Sequence, residues 1–245
     1  MIADTNTWVG QWPFQRLVRS TPAELAEHLT EEGIDRAWTA AADAILYQDP
    51  QLGNADWLAA MAGHETLAPV AVINPSLRNW RDSLAQCAEQ WGARVVKLVP
   101  SYHRLDLESG DVDECIEQAV GRGLGVSIQH RMEDERRHHL LMKVPAPPTD
   151  AIVALAGRHP ETKLHVACAY RPEALRMLDA ENLIFEISSL EYMDTLASMT
   201  EKIPVERLCF GSHTPFYLTR SAVLKVQASA LPKETLDQIT ADPLL

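Results

Sequence analysis

Basic charge is in short supply in this chain: 22 lysines and arginines face 34 aspartates and glutamates, for a formal net charge of −12. Such a surface repels phosphate backbones and anionic lipid headgroups, so nucleic acid is not expected as a partner. Long apolar runs are missing too. The longest are strand-sized, such as residues 67–73, far short of the roughly 18 residues that cross a bilayer, and no membrane association is expected. Cysteine is sparse: Cys87, Cys115, Cys168 and Cys209 stand far apart, with no C-x-x-C pair and no leader-like segment ahead of them. Reduced thiols in a cytoplasm are expected. No G-x-G-x-x-G follows the first apolar run, which removes the main mark of a dinucleotide-binding open sheet. Internal repeats, low-complexity tracts and linkers are absent as well.

What is present is an alternation. The 245 residues, 46% of them hydrophobic, come close to the roughly 250 of one closed α/β barrel. Short β-rich runs are predicted at 1–7, 34–41, 67–73, 94–99, 126–130, 163–169, 183–188 and 208–212. Helical patterns follow them at 22–32, 55–62, 77–91, 112–122, 150–157, from 172, at 192–202, and at 220–229 with 233–240. Thr21 before Pro22 is a good helix start, since the hydroxyl can cap and proline lacks the N–H that would go unpaired; Gly33 ends the same helix. Near-continuous apolar strands alternating with helices imply a parallel sheet covered by helices. Eight units favour closure into a single (β/α)8 TIM barrel over residues 1–245, with an open doubly wound sheet as the alternative. Residues 132–148 are too many for an ordinary strand-to-helix connection and are expected to form a functional loop or lid.

In such a barrel the chemistry lies at the carboxyl ends of the strands. Those positions hold Asp4, Asn6, Trp8, Asn74, Lys97, His130, Arg131, Cys168, Glu186, Ser188 and His213, several of them polar where a structural strand would carry valine or isoleucine. The opening Asp4-Thr5-Asn6-Thr7-Trp8-Val9-Gly10 resembles the first strand of amidohydrolase-related barrels, the metal-dependent hydrolase superfamily, which read Asp-x-His-x-His before a glycine. Phe210-Gly211-Ser212-His213-Thr214-Pro215 is similar to their eighth strand, usually Phe-Gly-Ser-Asp-x-Pro. Residues 231–245 resemble their closing helix and tail.

The resemblance implies a divalent metal held by two first-strand histidines, a fifth-strand histidine and an eighth-strand aspartate, with a sixth-strand histidine assisting. Here those positions read Asn6, Trp8, His130, His213 and, near the sixth, Cys168, so the expected metal site is degenerate. Asn6 offers a neutral carbonyl and the Trp8 indole has no lone pair to give, whereas a firm zinc site wants three or four His, Cys or carboxylate donors. Two readings stand: His130, Cys168 and His213 hold one divalent ion such as zinc, or no metal is held tightly, the histidines bond each other or nearby carbonyls, and Cys168 packs as a small apolar residue. In some relatives the position of Lys97 carries a carboxylated lysine bridging two metals. Here it is read as a structural or substrate-anion contact, paired with an acid such as Glu186 or Asp4.

Residues 131–139 are dense in charge and follow directly on His130. They are either a solvated, salt-bridged turn or a substrate contact, with Arg131 and Arg136 suited to carboxylates and Glu133 and Asp134 holding them. His103, after the fourth strand, is expected at the same mouth, and Glu186 is a further substrate-contact candidate. His28, His64 and His159 are expected away from it. Trp12, Pro13 and Phe14 are expected to wall the pocket or to make a subunit contact, which makes a homodimer reasonable.

Two functions compete. One is a hydrolase or decarboxylase-like lyase acting on a small carboxylate-bearing or cyclic substrate, with His130, His213, Lys97 and Cys168 as its catalytic set and Asn6, Trp8, Arg131, Arg136, His103 and Glu186 as substrate contacts. Without a metal, one histidine would be the general base while Lys97 or an arginine stabilises negative charge. The other is a catalytically silent barrel kept as a binding or interaction module. Sugar-lactone chemistry is compatible with the acidic, aromatic mouth, but nothing in the sequence selects it.

Overall fold

The computed structural model describes residues 1–138, 141 and 143–243. Eight parallel strands are hydrogen-bonded in sequence order: β1 (Ala3–Val9), β2 (Arg36–Ala41), β3 (Leu67–Val72), β4 (Val95–Leu98), β5 (Gly125–Gln129), β6 (Leu164–Ala167), β7 (Leu183–Glu186) and β8 (Leu208–Cys209). The ring closes between its ends. Thr5 N donates to Phe210 O at 3.0 Å, His213 N to Asn6 O at 2.8 Å and Trp8 N to Thr214 O at 2.8 Å, and Thr7 bridges Thr214 in parallel. The open-sheet alternative therefore does not hold. The chain forms one (β/α)8 barrel.

The helices are α1 (Pro22–Glu31), α2 (Pro50–Ala60), α3 (Trp80–Gln90), α4 (Pro100–His103), α5 (Gly110–Gly121), α6 (Thr149–Arg158), α7 (Arg171–Arg176), α8 (Thr195–Thr200), α9 (Thr219–Gln227) and α10 (Lys233–Thr240). α1 starts as its sequence requires: Thr21 accepts from Glu24 N, and the Glu24 carboxylate accepts from Thr21 N, a reciprocal cap. Gly33 then takes a positive φ of 79° after the helix. The short α4 falls where the sequence suggested only loop. Among the described residues, no helix is long and apolar enough to cross a membrane.

Strand alternation sorts the core into two layers. Val96, Leu98, Val126, Ile128, Leu164 and Val166 face the helices, while Trp38, Ala40, Val70, Val72 and Val95 fill the barrel. Polar residues sit inside as well, several of them paired with one another: Ser127 Oγ lies 2.8 Å from His165 Nδ1 and Thr5 Oγ1 lies 3.0 Å from His165 Nε2. Burial keeps His165 neutral, its pKa well below the ordinary imidazole value.

Strand ends differ from expectation in ways that matter for the site. The β1–β2 register shifts between Asp4 and Thr7, an extra residue that separates Thr5, turned to the His165 layer, from Asn6, turned to the mouth. β6 and β8 stop early, and beyond them Cys168 and His213 adopt left-handed φ values of 58° and 57°. That conformation cannot continue a strand, and for residues other than glycine it costs of order 1–3 kcal/mol, a strain typical of functional sites. His139 of the charged loop and Leu244 and Leu245 of the tail lie outside the described residues.

Trp12 is buried against Tyr102 and Phe216, with ring centroids 5.4 and 5.3 Å away. It therefore walls the mouth and is not the exposed aromatic on which a subunit contact was expected. Phe14 remains about half exposed, at 47%.

Candidate functional site

Asn6 stands at the centre of a polar cluster in the barrel mouth. Its Oδ1 accepts from Lys97 Nζ at 2.6 Å, while its Nδ2 faces His213 Nδ1 at 3.0 Å and donates to Cys168 Sγ at 3.4 Å. Lys97 also donates to Gln129 Oε1 at 3.2 Å and lies 4.5 Å from the Trp8 ring centre, a cation–π distance. Burial lowers the Lys97 pKa to about 8, resisted by Cys168 and by the acids Glu186 and Asp4, so the amine is still mostly an ammonium at neutral pH. The acids expected to pair with Lys97 act through their field; its hydrogen bonds go to two amides.

His213 has one tautomer consistent with its surroundings. Nε2 lies 2.7 Å from Met132 O, a carbonyl, and must carry the hydrogen. Nδ1 is then the acceptor for the Trp8 indole N–H at 3.1 Å and for Asn6 Nδ2. Desolvation drives its pKa down to about 3, with Lys97 adding to the effect against the Met132 bond. Burial likewise raises the Cys168 thiol far above its ordinary value, so it stays protonated.

Two carboxylates fasten the loops around this cluster. Glu186 accepts from Cys168 N at 2.6 Å, Ser188 Oγ at 2.6 Å and Ser188 N at 2.7 Å. Asp4 accepts from Ser212 N at 3.0 Å and Asn6 N at 3.1 Å, while its other oxygen is buried without a partner. Desolvation raises the Asp4 pKa to about 7 against those hydrogen bonds. A side chain at Gly211 would run into the Glu186 carboxylate, which explains glycine there.

The structure thus brings Asn6, Trp8, Lys97, Cys168 and His213 together, with Glu186 beneath Cys168. His130 is not joined to them. Ser127 and Gln129 take the inward positions of β5, so His130, next in the alternation, turns to the outer side. There its Nε2 lies 3.4 Å from Glu173 Oε2 without an aligned hydrogen bond. Arg131 is buried beside it. It forks onto Glu173 at 2.6 and 2.7 Å, donates to Cys168 O at 2.8 Å and stacks 3.6 Å from the Tyr170 ring centre. Although burial works against ionisation, His130 and Arg131 hold the Glu173 carboxyl well below the usual range.

Arg136 is exposed and forks onto Asp134 at 2.9 and 2.6 Å, the partner foreseen for it. His103 ends α4, half-buried near Ile45, its pKa lowered to about 4 by desolvation. His28 bonds Thr219 Oγ1 at 2.7 Å and His159 bonds Asp113 at 2.8 Å, both away from the mouth.

A cleft of about 630 Å³ opens over the ends of β5 to β8. Its walls include Tyr170, Pro172, Tyr217 and Leu218, the hydroxyls of Ser188, Ser189 and Ser212, the guanidinium groups of Arg136 and Arg171, and the carboxylates of Asp134, Glu135 and Glu191 at its rim. Cleft and cluster meet where Ser188 Oγ lies 3.5 Å from Cys168 Sγ. Tyr217, 4.9 Å from the His213 ring, joins them a second time. Gln129, Tyr217, Arg171 and Glu173 were not singled out in the sequence. Strand parity would have found Gln129; the others come from loops and helix starts, where no period marks them.

A divalent metal does not fit these residues as they stand. The ammonium of Lys97 occupies the space between Asn6 and Trp8, and a doubly charged ion about 4 Å from it would be opposed by roughly 8 kcal/mol at an effective dielectric near 20. Both His213 nitrogens are engaged, one by the Met132 carbonyl and the other by Trp8 and Asn6. Among the described residues, no three His, Cys, Asp or Glu side chains are grouped to hold a metal.

No family model matches the sequence, and no curated protein matches it either. Solved structures do match over nearly the whole chain. A 5-carboxyvanillate decarboxylase from Sphingomonas paucimobilis is similar with a TM-score of 0.75 at 12% identity, covering 99% of this chain and 97% of that one. An amidohydrolase II structure gives a TM-score of 0.74 at 14% identity, with coverage of 99% and 98%. A dihydroxybenzoic acid decarboxylase from a Polaromonas species, with bound manganese and the inhibitor 2-nitroresorcinol, gives a TM-score of 0.71 at 13% identity, with coverage of 98% and 94%. These structures and this chain therefore share one (β/α)8 barrel fold, the fold that the strand motifs led one to expect.

Proposed function

We propose that the protein is a barrel of the amidohydrolase type that binds a small cyclic carboxylate in the cleft over β5 to β8 and acts on it as a decarboxylase-like lyase or a hydrolase. The observation that carries this reading is the cleft of about 630 Å³, whose aromatic walls meet the buried cluster at Ser188 and Cys168. Flat apolar walls suit a ring, the serine hydroxyls suit its polar substituents, and a guanidinium suits its carboxylate. Arg171 is the better anchor of the two: Arg136 is already forked onto Asp134, whereas Arg171 spends one Nη on Ser198 and its Nε has no partner. Loss of carbon dioxide leaves an electron pair on carbon, which the positive field of Lys97 would stabilise until a proton from water in the open cleft takes the place of the lost carboxylate. The similar structures include decarboxylases of aromatic acids, which supports the lyase over the hydrolase.

A second reading, a barrel kept for binding alone, is favoured by one observation: Asn6, Lys97, Cys168 and His213 are each 0% exposed. Titration calorimetry with hydroxybenzoates and alicyclic carboxylates tests the shared premise, and Arg171→Gln is expected to weaken binding about tenfold. Release of carbon dioxide, or turnover of esters and lactones, then identifies the reaction. Binding without turnover leaves the binding module, and a panel with no binder at millimolar concentration removes both readings.

A further inference from the structure

We infer that the Lys97 ammonium is the resident cation of this barrel mouth and excludes a divalent ion from it. Two of the similar structures contain bound manganese, the second being a 5-carboxyvanillate decarboxylase from Novosphingobium aromaticivorans. The first-strand and eighth-strand motif positions mark out the corresponding space here as that between Asn6, Trp8 and His213. Lys97 Nζ lies against the Asn6 and Trp8 side of it, 2.6 Å from Asn6 Oδ1 and 4.5 Å from the Trp8 ring centre.

The neighbours are arranged for a monovalent ammonium. Asn6 Oδ1 and Gln129 Oε1 are neutral acceptors that each take one of its N–H bonds. The Trp8 face takes the charge without supplying a lone pair. On the far side of Asn6 its amide hydrogens point to His213 Nδ1 and Cys168 Sγ. Turning the amide over would set Nδ2 against the ammonium and Oδ1 against the His213 lone pair, so the orientation is fixed by the lysine. A metal taking the place of the ammonium beside Asn6 Oδ1 would have to expel Lys97, and to gain His213 Nδ1 as a ligand it would have to strip both donors from that nitrogen. The barrel has in effect moved its positive charge from an exchangeable ion to a side chain, and this holds whether or not a carboxylate occupies the cleft.

The test is metal uptake by the full chain after treatment with a chelator. Manganese alone and zinc alone, each read by elemental analysis and by thermal shift, are expected to leave the wild-type protein without a bound equivalent and without stabilisation. Lys97→Glu removes the cation and adds a carboxylate beside Asn6, and it is expected to bind manganese or zinc at least about tenfold more tightly than wild type, with a rise in melting temperature. One equivalent bound by wild type and lost in Asn6→Leu would overturn the assignment. So would a folded Lys97→Glu protein that gains no affinity, because the exclusion would then lie elsewhere. If Lys97→Glu does not fold, the wild-type uptake measurement decides alone. None of these readings uses the cleft or its substrate, so failure here and failure of the carboxylate proposal are separately visible.

Discussion

At Asn6, one planar amide satisfies a cation on one side and a thiol and an imidazole on the other, and the mouth is ordered as a consequence. Trp8 completes the arrangement by donating to His213 Nδ1 at 3.1 Å. Trp8→Phe removes that donor and leaves part of a fully buried volume empty, and it is expected to cost about 2–4 kcal/mol by urea unfolding. Asp4 gives a pH signature. Its folded pKa of about 7 lies above the ordinary aspartate value of 3.8, so between those values the folded state holds a proton that the unfolded state has released. The Asp4 contribution is intact below the unfolded pKa and is lost as pH rises through about 7. Asp4→Asn keeps both backbone acceptor bonds and is expected to gain on the order of 1–3 kcal/mol relative to wild type between acidic and neutral pH. Unfolding curves for both proteins on either side of that window check the sign.

Among the elements, the segment after β5 depends most on a single contact. Arg131, nearly fully buried, is held by the Glu173 carboxylate at the start of α7, and its other donor reaches Cys168 O. The clamp ties the loop after β5 to the loop after β6 and so sets one wall of the cleft. Glu173→Gln leaves the guanidinium buried opposite a neutral amide, and a loss of about 2–4 kcal/mol in chemical denaturation is expected. Hydrogen exchange should quicken first around residues 131–138. Arg131 thus positions a wall of the cleft, and in the proposed carboxylate-binding reading the direct contact is assigned to Arg171.

For the whole molecule, closure rests on a short strand. β8 has two residues, and α10 supports the joint: Phe210 N donates to Ile239 O at 2.8 Å, and Trp38 Nε1 donates to Asp242 Oδ2 at 3.0 Å just beyond the helix. Removing residues 233–245 leaves Phe210 N without its acceptor beside the β8–β1 seam. The expected outcome is a melting temperature lower by about 10 °C or more, or loss of a single cooperative transition in calorimetry.

The eight alternating units, the Thr21 cap and the strand-end motifs could all be read along the chain, because local pattern and capping act over a few residues and repeat with the period of the element. Those same residues nominated Asn6, Trp8, Lys97, Cys168 and His213. Which of them meet was decided only by the fold. An extra residue in β1 aims Asn6 at the mouth, strand parity turns Gln129 inward and His130 outward, a left-handed turn at Cys168 ends β6, and another at His213 turns the chain beyond β8. The charge at the centre of the mouth was equally beyond reach of the sequence: Lys97 is 91 positions from Asn6, and only ring closure brings its ammonium against that amide.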